Sequence, residues 1–207
     1  PLEENSDTFC ICLVKDPAFW IQSLARDPAG GSFYDIEPME LQGLKKEERE
    51  SKLAVSQLFR PLLFDGVRYE DAICLWEATV RSYFDPDILP ADRTAVIRCE
   101  DFLFNFHEVM RALAVHGVLP SIGKVIAAHE PLDFPCKTAS HPVRGRREAL
   151  EFYGDPANRF AGLTEHQVAR LHRVDPAITG PLGYATREAE AVVSRTGLAS
   201  GDGGPGA

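Results

Sequence analysis

A lysine and a serine near the start of the chain have the types and the spacing needed to hold an anion. The apolar residues 9–14 end at Lys15, Pro17 suits a first helical turn, and Ser23 follows eight positions after Lys15. A strand that ends in a cation beside a helix N-terminus commonly holds phosphate, because the side chain supplies charge and the free N–H groups of the first turn supply donors. The segment therefore predicts a site for a phosphate-bearing ligand, on the condition that the turn lets Lys15 and Ser23 meet.

Each of these residues also has an ordinary structural interpretation. Lys15 fits a solvated strand end, and Ser23 fits a helix serine that faces water. Trp20 is placed to stack on an adenine ring, although packing of the helix against the core is the simpler interpretation. Asp16 can orient Lys15 or cap the helix, and we interpret it as the cap because aspartate is a preferred residue there.

Composition limits the class of protein. The chain has 207 residues, of which 44% are apolar and 26% charged, as expected for one α/β domain. Its net charge of −9 argues against binding to nucleic acid or to an acidic lipid surface, so any anion site must be a local cluster of cations. No run approaches the roughly 18 apolar residues that a membrane-spanning helix needs, and we predict no membrane segment in this chain.

The cysteines do not resemble a disulfide framework. Their number is odd and their density is low; they are Cys10, Cys12, Cys74, Cys99 and Cys136. Cys10 and Cys12 share one face of the first predicted strand and could form half of a metal site, but no Cys or His pair elsewhere has matching spacing. We interpret them as core thiols and expect no metal.

Two apolar segments predict strands, and the rest of the ordered chain predicts helices. Residues 9–14 are typical of a strand buried on both faces of a parallel sheet, and residues 94–98 predict a second buried strand that again ends at a cation. Helices are predicted over residues 17–26, 45–59, 69–84, 102–116, 144–153, 164–174 and, after Tyr184, to Ser194, with Glu100-Asp101 and Thr164 with Gln167 as caps. Residues 33–44 are expected to be irregular and 196–207 to be a disordered Gly-rich tail. This is a layered α/β pattern, but sheets average about five or six strands, so we expect part of the sheet to precede Pro1.

Four short motifs resemble those of the sulfotransferase family. They are Lys15-Asp16-Pro17 with Ser23, Leu75-Trp76, the segment Arg98-Cys99-Glu100-Asp101-Phe102-Leu103, and Leu182-Gly183-Tyr184. In that family a strand ends in Arg-Asn-Pro or Arg-Asp-Pro, a serine follows eight residues later, and an Arg-Tyr-Glu-Asp-Leu signature follows the next strand. This chain departs from the pattern at Lys15 and at Cys99, and its Lys-Asp-Pro is similar to that of a branch predicted in algae and other protists. The resemblance covers about residues 8–185.

The resemblance implies a fold, a donor substrate and binding residues. The fold would be of the three-layer, P-loop type with a parallel sheet, and the donor would be 3′-phosphoadenosine-5′-phosphosulfate. Lys15 and Ser23 would hold the 3′-phosphate of that donor, with lysine acting as a point charge where arginine grips phosphate with two parallel donors. In the family a late basic loop also covers this phosphate; Arg144-Gly145 is similar to that loop, or else Arg144 belongs to a solvated helix start.

The resemblance also implies what lies outside this chain. The family's 5′-phosphosulfate loop and its catalytic histidine or glutamate precede the region covered, and residues 1–8 offer no counterpart. We therefore expect residues 1–8 to be a truncated lead-in, 9–185 the C-terminal two-thirds of a sulfotransferase-like domain, and 186–207 a helix remnant and tail, with no catalytic residue in this chain. The acceptor would be a hydroxyl or amine on a carbohydrate, a protein tyrosine or a small metabolite. The protein itself would be located in the cytoplasm or in the Golgi lumen.

Two other functions stay open from the sequence. One is a degenerate, non-catalytic module that binds a nucleotide weakly or serves only in protein contacts. The other is a different P-loop enzyme, such as a small kinase, with its nucleotide loop upstream. A requirement for a nucleotide 3′-phosphate would separate the sulfotransferase from the kinase.

Overall fold

In the part of the chain that the structure describes, α-helices combine with two small β-sheets. A computed structural model describes residues 8–26, 37–45, 48, 54–115 and 145–184. They belong to two compact units, Pro1–Leu163 and Thr164–Ala207. The mixed α/β class expected from the sequence is confirmed.

The strands and helices follow one another in this order. The strands are β1 (Cys10–Val14), β2 (Glu37–Pro38), β3 (Leu62–Phe64), β4 (Val67–Tyr69) and β5 (Thr94–Arg98). The α-helices are α1 (Pro17–Arg26), α2 (Ala72–Tyr83), α3 (Cys99–Phe104), α4 (Phe106–Val115), α5 (Arg146–Gly154), α6 (Pro156–Arg159), α7 (Glu165–Leu171) and α8 (Pro176–Thr179). Short 3₁₀ helices cover Met39–Leu41, Val55–Phe59 and Ala91–Arg93.

A parallel strand pair carries the segment that the sequence analysis singled out. β1 and β5 lie side by side in parallel, with Cys10 opposite Thr94 and Val14 opposite Arg98. Both strands were predicted, but the prediction that β1 is buried on both faces is wrong. Ile11 and Leu13, which share one face, are 44% and 51% exposed, whereas Val14 on the other face is buried. Apolar composition does not by itself require burial, because much of any protein surface is apolar.

A second sheet was not predicted. β3 and β4 form an antiparallel hairpin, to which β2 adds a third strand. The hairpin turn is Asp65-Gly66, with φ values of +49° and +72°. Both residues lie in the left-handed region that a tight two-residue hairpin turn requires, and Asp-Gly is a strong sequence signal for that turn. The signal was present in the sequence and was missed.

Three predicted helices differ from those observed. In the predicted helix 45–59, Val55–Phe59 is a 3₁₀ helix that ends at an extended Arg60, because the residue before a proline avoids the α conformation. Helix α2 begins only at Ala72, where Asp71 caps it by accepting a hydrogen bond from the Cys74 N–H at 2.7 Å. The predicted helix 102–116 is two helices.

The break between those two helices lies at Asn105, whose backbone is not helical. Helix α3 begins at Cys99, so Glu100 and Asp101 lie in its first turn and do not precede it as caps. Acidic residues in a first turn still suit the positive end of the helix.

One core positions the first helix against its neighbours. The most deeply buried large side chains of the first unit come from β1, α1, the 3₁₀ helix at Val55–Phe59, β3 and α2: they are Val14, Ile21, Leu58, Leu62, Ile73 and Leu75. Helix α1 packs against both α2 and that 3₁₀ helix. Burial of several such side chains, each worth about 1.5–3 kcal/mol, fixes α1 and the end of β1.

The described part of the second unit, residues 164–184, contains helices α7 and α8. Thr164 and Gln167 form the predicted capping box at the start of α7, with hydrogen bonds of 3.3 Å and 2.8 Å. Its buried apolar side chains are Leu171, Val174, Ile178, Leu182 and Tyr184. In the described ranges, no helix has the length and apolar character needed to cross a bilayer. The helix and tail predicted after Tyr184 lie outside the described residues.

The hairpin turn gives a first testable prediction. Replacing Gly66 with alanine should lower the free energy of unfolding by about 1 kcal/mol, because an L-residue is strained at a φ of +72° although nothing lies within 4 Å of the added methyl group. Denaturant unfolding measures the change. Gly154→Ala is the matched control: its φ is not in the left-handed region and its added methyl would lie at an ordinary 3.7 Å from Phe104. An equal loss in both variants would contradict this explanation.

Candidate anion-binding site

The fold brings the lysine and serine of the first motif together. Lys15 immediately follows β1, and Ser23 lies on the second turn of α1. The Lys15 amine donates a hydrogen bond of 2.6 Å to the Ser23 hydroxyl oxygen. Both side chains are partly buried at this contact. The condition set from the spacing is therefore met, while the binding of a phosphate by these two residues stays a prediction.

Two residues that the sequence analysis did not single out complete the cluster. The Lys15 amine also donates to the Tyr153 hydroxyl at 3.0 Å and lies 4.9 Å from the centre of that ring. An N–H of the Arg26 guanidinium donates to the Ser23 oxygen at 3.4 Å. Arg26 lies three positions after Ser23 on one helix face, so its approach was foreseeable. Tyr153 comes from α5, and no local signal connected it to Lys15.

Aromatic rings fix two of these side chains in place. The Arg26 guanidinium lies 5.8 Å from the centre of the Phe152 ring, and Phe152 meets Tyr153 edge to face at 5.1 Å. The buried Phe19 ring contacts Tyr153 edge to face at 4.8 Å. These contacts hold the tyrosine hydroxyl at the Lys15 amine and the Arg26 guanidinium at the Ser23 oxygen.

The cluster has unused donors and almost no unused acceptors. Ser23 accepts from Lys15 and from Arg26, which leaves its own O–H free to donate. Tyr153 likewise accepts from Lys15 and retains its O–H. The Arg26 Nε–H is buried and has no hydrogen-bond partner among the described residues. A cluster of donors suits an anion with several acceptor oxygens.

The positive charges of the cluster also favour an anionic ligand. Lys15 and Arg26 meet at one hydroxyl, and within the described ranges neither forms an ion pair with a carboxylate. Two cations held this close repel each other unless an anion lies between them. In a chain with a net charge of −9, this is the local cationic cluster that an anion site requires.

The N-terminus of α1 does not provide the donors that the sequence analysis assigned to it. One Asp16 carboxylate oxygen accepts from the N–H groups of Ala18 at 2.9 Å and Phe19 at 3.3 Å, and Pro17 has no N–H. The N–H of Trp20 bonds the carbonyl of Asp16. The protein's own carboxylate therefore occupies the helix end, and a ligand must be held by side chains. The interpretation of Asp16 as the cap agrees with this geometry.

Three elements hold the end of β1 from outside. The Trp76 indole N–H donates to the Lys15 carbonyl at 3.0 Å, and the Asp16 N–H donates to the Glu100 carboxylate at 3.0 Å. Arg159 binds the second carboxylate oxygen of Asp16 through two nitrogens, at 3.0 Å and 2.9 Å. Motif residues of α2 and α3 thus converge on the backbone of Lys15 and Asp16, and so fix where the lysine side chain starts.

Four other arginines either make contacts outside this cluster or lie outside the described residues. Arg98 grips the Asp101 carboxylate through two hydrogen bonds of 2.6 Å and 2.5 Å, a structural contact within one helix turn. On α5, Arg146 donates to the Leu103 carbonyl and Arg147 pairs with Glu151. Arg144, predicted as a third ligand of the phosphate, lies outside the described residues.

The cysteines near the site are protonated thiols at neutral pH. Burial first, and the neighbouring Glu100 second, raise the pKa of Cys99 above its ordinary value, although the Lys15 amine acts in the opposite direction. Burial and the neighbouring Cys10 raise the pKa of Cys12. No group of three His, Cys, Asp or Glu side chains suited to a metal ion occurs among the residues that the structure describes.

Comparison with known proteins adds no relative. No family model matches the chain, no curated protein is significantly similar to it, and no solved structure matches its fold.

The buried ion pair at the strand end gives a second testable prediction. Asp16→Ala should lower the free energy of unfolding by roughly 3–5 kcal/mol, because it removes the carboxylate that Arg159 binds through two nitrogens and leaves the N–H groups of Ala18 and Phe19 uncapped. Asp16→Asn, which keeps the cap but not the charge, should lose less. The control is Glu151→Ala, whose partner Arg147 has a side chain that is 90% exposed, so that its loss is expected to be under about 1 kcal/mol. Similar losses for Asp16→Ala and Glu151→Ala in denaturant titrations would refute the assignment.

The raised pKa of the Cys99 thiol gives a third testable prediction. Because its pKa lies above the ordinary value of 9.0, the reactive thiolate should be the minor form below that pH, and alkylation of Cys99 by iodoacetamide should be slow there. Lys15→Ala removes the cation that lowers this pKa and should move the alkylation profile to still higher pH. Peptide mass spectrometry of a pH series measures both profiles. Half-maximal alkylation below pH 9.0 in the wild type would contradict the stated environment.

Proposed function

We propose that this chain is a sulfotransferase-like domain that binds the 3′-phosphate of 3′-phosphoadenosine-5′-phosphosulfate. The proposed transfer moves the sulfuryl group of that donor to a hydroxyl or amine acceptor. The proposed fold is of the three-layer P-loop type, with β1 and β5 as neighbouring strands of its parallel sheet. The observation that carries the proposal is the 2.6 Å contact between Lys15 and Ser23, the two positions that the family resemblance assigns to this phosphate.

The surroundings of that contact support a phosphate ligand. A phosphomonoester carries about −1.5 to −2 charges at pH 7 and three acceptor oxygens. Lys15 and Arg26 provide two positive charges, and the hydroxyls of Ser23 and Tyr153 provide neutral donors. In the described ranges the Lys15 amine bonds the hydroxyl oxygens of Ser23 and Tyr153 and forms no ion pair with a carboxylate.

The motif residues around the strand end support the same proposal. Trp76 and Glu100, which belong to two of the motifs resembling the family, each make a hydrogen bond to the backbone at the end of β1. They hold the backbone from which the Lys15 side chain projects. Motifs that are far apart in the sequence thus serve one site.

In the proposed reaction this site supplies binding and register. Sulfuryl transfer resembles phosphoryl transfer, where catalysis consists mainly of in-line positioning and of neutralising charge on the leaving group. A 3′-phosphate held by Lys15 and Ser23 fixes the adenosine, and through it the position of the sulfuryl group at the far end of the donor. We assign no residue of this chain to the transfer step itself.

A pair of nucleotides that differ only in the 3′-phosphate tests the proposal. Isothermal titration should show that adenosine 3′,5′-bisphosphate binds more tightly than adenosine 5′-monophosphate. Lys15→Ala should weaken bisphosphate binding by about tenfold or more, since a hydrogen bond to a charged group contributes roughly 1.5–3 kcal/mol. Binding of the monophosphate, which lacks the 3′-phosphate, should weaken less in the variant than binding of the bisphosphate.

Two variants control this experiment. Lys15→Arg restores a cation at the same position and should retain most of the affinity. Lys45→Ala removes an exposed lysine from outside the site and should change nothing. Equal affinity for the two adenosine nucleotides would refute the proposal, and tighter binding of ATP than of the bisphosphate would favour the kinase alternative. Bisphosphate binding without sulfuryl transfer by the longest expressible form of the protein would favour the non-catalytic module.

A further inference from the structure

The cluster at Lys15 contains two residues that the proposed function does not require. Arg26 and Tyr153 both bond to the lysine–serine pair, one from the end of α1 and the other from α5. Neither belongs to a motif that suggested the function. Their geometry, however, is that of groups prepared for a ligand.

We infer that Arg26 and Tyr153 are binding residues of the same site, and that together with Lys15 and Ser23 they select a phosphomonoester in its dianionic form. This inference rests on the proposed function only for the identity of the nucleotide, since the four side chains would select the same group on any molecule. The substrate class it names is one with a terminal phosphate.

The evidence for Arg26 is an unsatisfied buried donor. Its Nε–H is buried and lacks a partner among the described residues, while a second nitrogen makes only a long, 3.4 Å hydrogen bond to Ser23. A buried donor without a partner is costly, and such groups in folded proteins call for an explanation. The Phe152 ring, 5.8 Å from the guanidinium carbon, contacts this group without accepting a conventional hydrogen bond from it. A phosphate oxygen would satisfy it.

The evidence for Tyr153 is its position on the lysine. The tyrosine oxygen lies 3.0 Å from the Lys15 amine and accepts a hydrogen bond from it. The O–H of the tyrosine is left to donate to another acceptor. The ring is held edge to face between Phe19 and Phe152, so the hydroxyl is not free to turn away. The hydroxyls of Ser23 and Tyr153 both lie beside the Lys15 amine, where their O–H groups can donate to one bound anion.

Selection of the dianion follows from charge. Two cations without carboxylate partners in the described ranges match the two negative charges of a phosphomonoester above its second pKa, which is about 6. Protonation of the phosphate below that pH removes one charge and one acceptor. A site with one cation would distinguish these two forms less well.

The experiment measures the affinity of adenosine 3′,5′-bisphosphate and of inorganic phosphate for four variants at about pH 7.5 and about pH 5. Arg26→Gln and Tyr153→Phe should each weaken both probes about tenfold at the higher pH, as for loss of a hydrogen bond to a charged group. The wild type should bind both probes more weakly at the lower pH, and Arg26→Gln should show a smaller difference between the two. Arg147→Gln and Tyr69→Phe are the matched controls, since Arg147 is 90% exposed and Tyr69 lies on β4.

The outcomes separate this inference from the proposed function. Weakened binding of both probes together with a reduced pH difference supports the inference, even if the wild type shows no preference for a 3′-phosphate, in which case only the proposed function fails. Affinities of Arg26→Gln and Tyr153→Phe within twofold of the wild type overturn it, as does absence of phosphate binding by the wild type. If Arg26→Gln does not fold, Arg26→Lys replaces it, because lysine keeps the positive charge and lacks the parallel donors of the guanidinium. Arg26→Lys should weaken phosphate binding and retain the difference in affinity between the two pH values.

Discussion

The carboxylate of Asp16 is the contact on which the rest of the site depends. It caps α1 with one oxygen and binds Arg159 with the other, while being only 4% exposed. A helix N-terminus next to a cation would otherwise attract any small anion from solution. Because Asp16 supplies that negative charge from within the protein, the helix end is neutralised and the direction of the chain from β1 into α1 is fixed.

That arrangement divides two tasks between neighbouring residues. Asp16 serves the backbone, and Lys15 has its backbone carbonyl bound by Trp76 and its side chain left to reach Ser23. A lysine is flexible and loses rotamer entropy when its amine is localised. A hydrogen bond from another helix anchors the main chain of Lys15 and reduces the number of places that the amine can reach. The defined contact with Ser23 therefore costs less conformational entropy.

Several elements of the fold and two residues of the site could be predicted because their sequence signals are local. The strands β1 and β5, the start of α1 and the capping box of α7 follow from patterns within a few residues, and Lys15 and Ser23 lie within one strand–helix unit. Arg26 and the hairpin at Asp65-Gly66 were equally local, and the signals for them were not used.

The rest depended on contacts between distant parts of the chain. Tyr153 and Arg159 lie 138 and 143 positions from the residues that they bind, so periodicity and spacing could not connect them. The exposure of Ile11 and Leu13 was also beyond reach, because composition alone does not tell which face of a strand its neighbours cover. The occupied helix end was missed for a different reason: Asp16 was recognised as a cap, but its consequence for free N–H donors was not followed through.

In the sulfotransferase-like domain that we propose, Lys15 lies where that family has arginine, and this substitution makes the two additional residues, Arg26 and Tyr153, intelligible. Arginine carries its own geometry, since its fork presents two parallel donors to two phosphate oxygens. Lysine supplies the same charge without that geometry, so direction must come from neighbours. Tyr153 adds a donor on one side of the amine and Arg26 adds a planar one across Ser23, at contacts of 3.0 Å and 3.4 Å. In the site we propose, three residues from two segments therefore do together what a single arginine would do alone, and the requirement that α5 stay docked against α1 becomes part of phosphate recognition.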